Sequence, residues 1–420
     1  MSAGARRVLL LVPTSTYKVA DFLDAAGRLG IAVTVGSERK QALEDLAAGG
    51  GTVTLDLDDR ERLAEQVRAA HARTPFAGVV GADDDTVIPA AVAACALGLP
   101  GNPPEAAAAS RDKLASRERF AAAGLRTPAY RTFSINGSPE AAAGDVGYPC
   151  VLKPLFLSGS RGVLRADDPG GFAASFRRIR TLLLRPEVAR KGRDSARRIL
   201  VEEFVPGPEI AVEALLERGA LRTLAVFDKP DPLDGPTFEE TLYVTPSRHS
   251  SAAIAAAEAE VAGGCRALGL VEGPVHAELR LRDGRQPWLL EIAARTIGGL
   301  CARTLRFGAG IGLEEIVLRH AAGLRADVSA RERDASGVVM LPVPSAGKVT
   351  RLAGTRAAKR VPGIVDVVFT VHRGARVEPL PEGDRYLGFV FARGADPAQV
   401  EASLREAWSR LDIGIEPETA

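Results

Sequence analysis

The first hundred residues constrain the fold most tightly, because short apolar runs alternate there with longer Ala/Leu-rich stretches. Residues 8–12 (Val-Leu-Leu-Leu-Val) read as a buried strand, and a helical pattern follows over residues 19–30. Strands at 32–35, 52–55 and 78–81 come next, interleaved with helices over 60–73 and 86–97. Parallel strands need crossover connections, so such a chain builds a parallel sheet covered by helices on both faces. The turn at 13–18 lacks the glycine fingerprint of dinucleotide binding, and neither a GxxxxGKS/T loop nor HExxH occurs. Asp83-Asp84-Asp85 reads first as the cap of the next helix, with charges that complement its dipole, and second as a functional cluster.

At 420 residues the chain exceeds one ordinary core, which implies two or three packed domains. The Pro/Gly-rich residues 99–104 mark a first boundary, and the charged stretch 326–335 a second. Lys+Arg number 54 against 53 Asp+Glu, a net charge of +1, so nothing in the balance favours nucleic acid or an anionic membrane. Cys95, Cys150, Cys265 and Cys301 are widely spaced, which argues against a zinc site or disulfide framework and fits a reducing cytosol. The apolar run at 8–12 is too short for a signal or a membrane span, so a cytoplasmic protein is expected. Residues 172–194 are helical and basic, which reads as a solvated helix with a mobile loop rather than a phosphate patch. Residues 241–246 read as a substrate-facing loop.

Beyond Ser110 the order changes to α+β, and the residues able to carry chemistry gather there. Val275–Leu281 alternates apolar residues with His276, Glu278 and Arg280, and residues 288–292 contain Glu291. Asp283-Gly284 between them signals a hairpin in which Glu278 and Glu291 lie opposite each other. Opposed residues have Cβ atoms about 5 Å apart, and two like charges there are unfavourable unless something binds between them. One reading is a solvated face with two chance acids; the other is a hard dication such as Mg2+, which takes one or two carboxylates plus substrate phosphates. Lys153, near the end of the apolar strand 148–154, is costly to bury without an anion. Ser158-Gly159-Ser160-Arg161-Gly162 follows, either a simple turn or a small-residue loop whose N–H groups cradle phosphate. After the strand 199–205, Glu209 and Glu213 share one face of the next strand. Glu209 either holds vicinal hydroxyls or keeps an edge strand from aggregating. His276 faces the same side as Glu278 and reads as a satisfied structural histidine, with a proton shuttle as the second reading.

The order of these pieces resembles that of the ATP-grasp superfamily. Arg111-Asp112-Lys113, Gly147-Tyr148-Pro149 before Lys153, the small-residue loop, Val201-Glu202-Glu203-Phe204-Val205 and Glu278 occur in family order. Residues 290–299 are similar to the family's E-x-N-x-R-x-G-G, with Ala293 in place of the Asn. The C-terminal segment looks like the closing domain of the L-amino-acid ligase branch. The resemblance implies an N-terminal α/β domain over 1–109, an ATP-grasp domain of two α+β subdomains over 110–325, and a β-rich α+β domain over 336–420. It implies that Lys113 and Lys153 contact the α- and β-phosphates of ATP. Ser158, Gly159, Ser160 and Gly162 would cover the β- and γ-phosphates. Glu202, Glu203 and Val205 would line the adenine pocket, Glu209 would bind ribose, and Glu278 and Glu291 would hold Mg2+, with Mn2+ admitted. Arg295 would anchor the carboxylate substrate or the transferring phosphoryl group. The activity implied is an ADP-forming carboxylate–amine ligase acting on small molecules, amino acids first, with a homodimer admitted. A purine-pathway or carboxylase-type ligase and a nucleotide-binding module without turnover stay open.

Overall fold

The structure, a computed structural model, describes residues 6–13, 16–39, 51–308, 310–325, 332 and 334–417. The N-terminal sheet has four parallel strands in the order Thr52–Thr54, Ala32–Ser37, Arg7–Leu11, Gly78–Gly81. Helices Arg60–Arg73 and Val87–Leu97 cover one face through Leu63, Val67, Val92 and Ala93. On the other face Val19–Leu29 is joined by Leu313–Ala321, whose Val317 and Leu318 enter the same core as Val8 and Leu10. The helix that completes the N-terminal sheet therefore comes from some three hundred residues along the chain, which local periodicity does not reveal.

Two antiparallel sheets follow. The smaller runs Tyr130–Ser134, Arg198–Glu203, Cys150–Pro154, Leu164–Ala166, backed by the helix Pro169–Leu183 through Phe172, Phe176 and Ile179. The larger has eight strands in the order Gln286–Ala293, Gly273–Arg282, Glu209–Glu217, Ala220–Asp228, Leu242–Thr245, Ala335–Leu341, Gly388–Gly394, Ile364–Phe369. Its last three strands come from the C-terminal segment, so that segment extends the central sheet. A three-stranded sheet of Arg376–Val377, Gly347–Ala353 and Asp412–Glu416 completes the mixed α/β architecture. The expected fold class is borne out.

Three local expectations change. The basic segment is not one helix: it breaks after Leu183 and restarts at Pro186, since proline removes an N–H and suits a first turn. Its charges are not simply solvated either, because Arg178 and Arg185 make paired bonds to Glu382 and Glu378, and Lys191 meets Asp85 at 2.6 Å. The expected loop at 241–246 is the buried strand Leu242–Thr245, paired on both sides. Among the described residues no helix is long and apolar enough to cross a membrane.

Candidate active site

The hairpin brings Glu278 opposite Glu291, but by an indirect route. Near the turn Arg282 faces Gln286, leaving a three-residue loop in which Asp283 and Gly284 adopt φ of 54° and 67°. A register shift beyond Glu278 then inserts Leu290 as an extra residue on the second strand. Without that bulge Glu278 would face Leu290 and the two carboxylates would point to opposite sides of the sheet.

Both glutamates line a cleft of about 660 Å3 between the two antiparallel sheets, walled also by the N-terminal and C-terminal segments. Lys113 opens a helix capped by the Asp112 side chain, and its Nζ donates to Leu157 O at 2.8 Å and meets Glu291 at 3.2 Å. Lys153 Nζ lies 2.6 Å from Glu202, which Arg117 Nε approaches to 2.5 Å from the other side. Burial opposes the charge on Glu202, but Arg117 and Lys153 outweigh it and hold the carboxyl below its ordinary range. The Glu202 side chain is thus committed to positioning these two cations. Beside it, Val151, Leu233 and Phe238 form an apolar slot with Val163 and Phe204. Glu203 N–H is taken by Ala129 O, whereas the Val205 N–H has no acceptor among the described residues. Glu209 is held by Lys229 at 2.6 Å and Arg280 at 3.1 Å, so it enters the site already paired.

The loop 158–162 has left-handed backbone at Gly159, Ser160 and Gly162, with φ of 63°, 57° and 75°. Left-handed residues next to right-handed neighbours in a turn bring successive N–H groups into a concave nest that suits anions. The loop is tethered from across the cleft: Gly162 N–H donates to Pro381 O at 2.8 Å and Arg161 Nε to Glu382 O at 2.9 Å. An apolar slot, an N–H nest, two lysines and hard carboxylate oxygens are the donor set that a nucleoside triphosphate and Mg2+ require.

Arg295 is buried and meets Asp84 of the N-terminal domain, donating from NH2 at 3.0 Å. Its Nε is 2.9 Å from Asp84 Oδ1 but lies outside hydrogen-bond geometry, so that contact is Coulombic. Arg111 reaches the same Asp84 oxygen at 2.9 Å. Burial works against the Asp84 charge, yet Arg111 and then Arg295 hold its carboxyl far below the usual range. Capping was therefore the wrong reading for Asp84. The capping box belongs to Asp83 and Thr86.

Two further site residues escaped the sequence reading. Lys229 binds Glu209, Glu240 and Glu278 together, and Tyr243 Oη donates to Glu240 at 2.8 Å. Burial raises the Glu240 carboxyl to about 7 against the pull of Lys229, with repulsion from Glu278 and Glu209 adding to it. The signal was present: Lys229 lies two residues beyond the apolar run Leu224–Phe227, near a strand end as Lys153 is. His276 is buried between Glu213 and Glu278, with Nε2 3.4 Å from Glu278, a satisfied histidine that faces the cleft.

Comparison with known proteins agrees with this geometry. Residues 146–304 match an ATP-grasp domain, 23–101 an ATP-grasp N-terminal domain, and 339–416 the L-amino acid ligase C-terminal domain 2. The crystal structure of L-amino acid ligase from Bacillus licheniformis superposes with a TM-score of 0.79 at 26% identity, covering 98% of this chain and 99% of that one. D-alanine–D-alanine ligase of Gloeobacter violaceus is 30% identical over 238 residues, 53% of this chain and 72% of that protein. Alanine–anticapsin ligase of Bacillus subtilis is 27% identical over 244 residues, and the match spans 55% of this chain and about half (51%) of that ligase. The chain belongs to the ATP-grasp superfamily and is related within it to the L-amino acid and D-alanine–D-alanine ligases.

Proposed function

We propose that this protein is an ADP-forming carboxylate–amine ligase that joins amino-acid substrates through an acylphosphate. The observation that supports this reading best is the convergence of Lys113, Lys153, the nest loop, Glu278, Glu291 and Arg295 on one cleft. In this reading the apolar slot and the free Val205 N–H take the adenine, and Glu209 faces the ribose. Lys113 and Lys153 neutralise the α- and β-phosphates, while the N–H groups of Gly159 and Ser160 receive the β- and γ-phosphates. Mg2+ held by Glu278 and Glu291 would neutralise charge on the transferring phosphoryl group.

A substrate carboxylate oxygen bonds to the γ-phosphorus as the bond to the β-phosphate oxygen breaks, which yields an acylphosphate and ADP. The amine nitrogen then bonds to the acyl carbon, inorganic phosphate leaves and the nitrogen loses a proton. The chain's part is positioning and electrostatics. Arg295, oriented by Asp84, presents its guanidinium to the carboxylate or the phosphoryl oxygens, a task its fork geometry suits. Glu240 stands where an amino acid's ammonium group can meet it. The tethered loop 158–162 keeps water from the acylphosphate.

The test is phosphate release from Mg-ATP across pooled amino acids, with hydroxylamine to trap an acylphosphate. Acid-dependent ADP formation and a hydroxamate are expected. ATP binding without acid-dependent ADP from any pool would refute the ligase reading.

A further inference from the structure

Lys229 immediately follows the strand Ala220–Asp228, and its side chain is 2% exposed. Its ammonium meets Glu209 Oε1 at 2.6 Å, Glu278 Oε1 at 3.1 Å and Glu240 Oε1. Oxygens of these three carboxylates lie within 4.8 Å of one another, close enough to cage a single cation. An ammonium has three N–H donors and no acceptor, so three carboxylates saturate it. The ring of Tyr243 lies 5.1 Å from Nζ and closes the remaining side. The cage acids have further fixed partners: Arg280 on Glu209, Tyr243 on Glu240 and His276 on Glu278. A dication entering this cage would strand a buried ammonium, a strongly unfavourable exchange. Two residues beyond Glu291 on the same strand, Ala293 is buried and offers no side-chain oxygen.

We propose that Lys229 is a built-in cation that keeps the Glu209–Glu240–Glu278 cage free of metal. A single divalent ion between Glu278 and Glu291 then serves the nucleotide. This inference rests on the Mg-ATP reading of the cleft.

Mn2+ counting by electron paramagnetic resonance, with a non-hydrolysable ATP analogue bound to the full chain, tests it. The expected count is one tightly bound Mn2+ per bound nucleotide in the wild type. Lys229→Met opens the cage and raises the count to two, whereas Lys229→Arg restores a cation and returns it to one. Two ions in the wild type, or an unchanged count in Lys229→Met, would overturn the proposal. If Lys229→Met does not fold, the wild-type count and Glu240→Gln decide. Glu240→Gln keeps one Mn2+ because the cage holds none, and a loss of the ion there would overturn the assignment. No Mn2+ at all in the wild type, with analogue bound, would overturn the nucleotide reading beneath it as well, and the zero count separates that failure from the others.

Discussion

Asp84→Asn removes one negative charge from a buried cluster whose other members are Arg111 and Arg295. The three side chains are 10%, 9% and 11% exposed for Arg111, Arg295 and Asp84, so solvent screens their interaction little. Breaking a buried pair by removing one partner costs about 3–5 kcal/mol, because the remaining charge stays desolvated. Here two guanidiniums lose their shared counter-charge, so a loss at or above the lower end of that range is expected. The exposed pair Arg351–Asp412, with partners 58% and 55% exposed, supplies the control. An exposed pair of this kind contributes about 0.2–1 kcal/mol. Urea unfolding at pH 7, followed by circular dichroism, should therefore separate Asp84→Asn from Asp412→Asn several-fold. The pH dependence carries a sign. The folded-state pKa of Asp84 is depressed, so its contribution is present above the unfolded value of about 4 and fades as pH falls below it. The gap between wild type and Asp84→Asn should be flat from pH 6 to 8 and narrow below about pH 4. Equal losses for the two variants, or a gap that widens in acid, would refute the argument that burial makes this cluster strong.

Glu291→Gln should lower Mg-dependent phosphate release by about 100-fold or more while circular dichroism stays unchanged; full activity would remove Glu291 from the metal site. Arg178→Ala with Arg185→Ala should cost under about 1 kcal/mol of stability per exposed pair. It should nonetheless raise phosphate release relative to amide product, because both arginines hold the C-terminal loop that pins residues 158–162; an unchanged ratio counts against a water-excluding loop. Among the described residues Tyr386 Oη, buried in the cleft, has no hydrogen-bond partner, which carries a cost of about 1–3 kcal/mol. Tyr386→Phe should accordingly stabilise the free protein and raise the KM of one amino-acid substrate several-fold, both read by thermal unfolding and steady-state kinetics; no change in either would mean that the hydroxyl has no ligand.

Much of the site was legible because it rests on short-range pattern. The strand of Lys153, the glycines of residues 158–162 and the hairpin of Glu278 and Glu291 each depend on neighbours within about twenty positions. The bulge at Leu290 shows how narrow that legibility is. The pairing of Arg282 with Gln286 centres the turn on residue 284, half a residue from the midpoint of Glu278 and Glu291, and the extra residue makes up the difference. Helix dipoles and capping are local rules, so they point to a cap at Asp84, whereas its partners Arg111 and Arg295 stand 27 and 211 positions away. Local pattern likewise leaves Arg178 and Arg185 solvated, since Glu382 and Glu378 lie 204 and 193 positions on.

The sequence by itself determined the elements: a parallel N-terminal sheet, a strand lysine ahead of a small-residue loop, and a hairpin with two carboxylates face to face. Periodicity and turn chemistry act over a few residues, so one chain suffices to reveal them. Only the tertiary structure decided how their charges are shared. It gave Glu202 to Lys153 and Arg117, Asp84 to Arg295, and three carboxylates to Lys229. Coulombic pairing in a buried cleft depends on distances of a few ångströms between groups far apart in the chain, and only the folded backbone sets those distances.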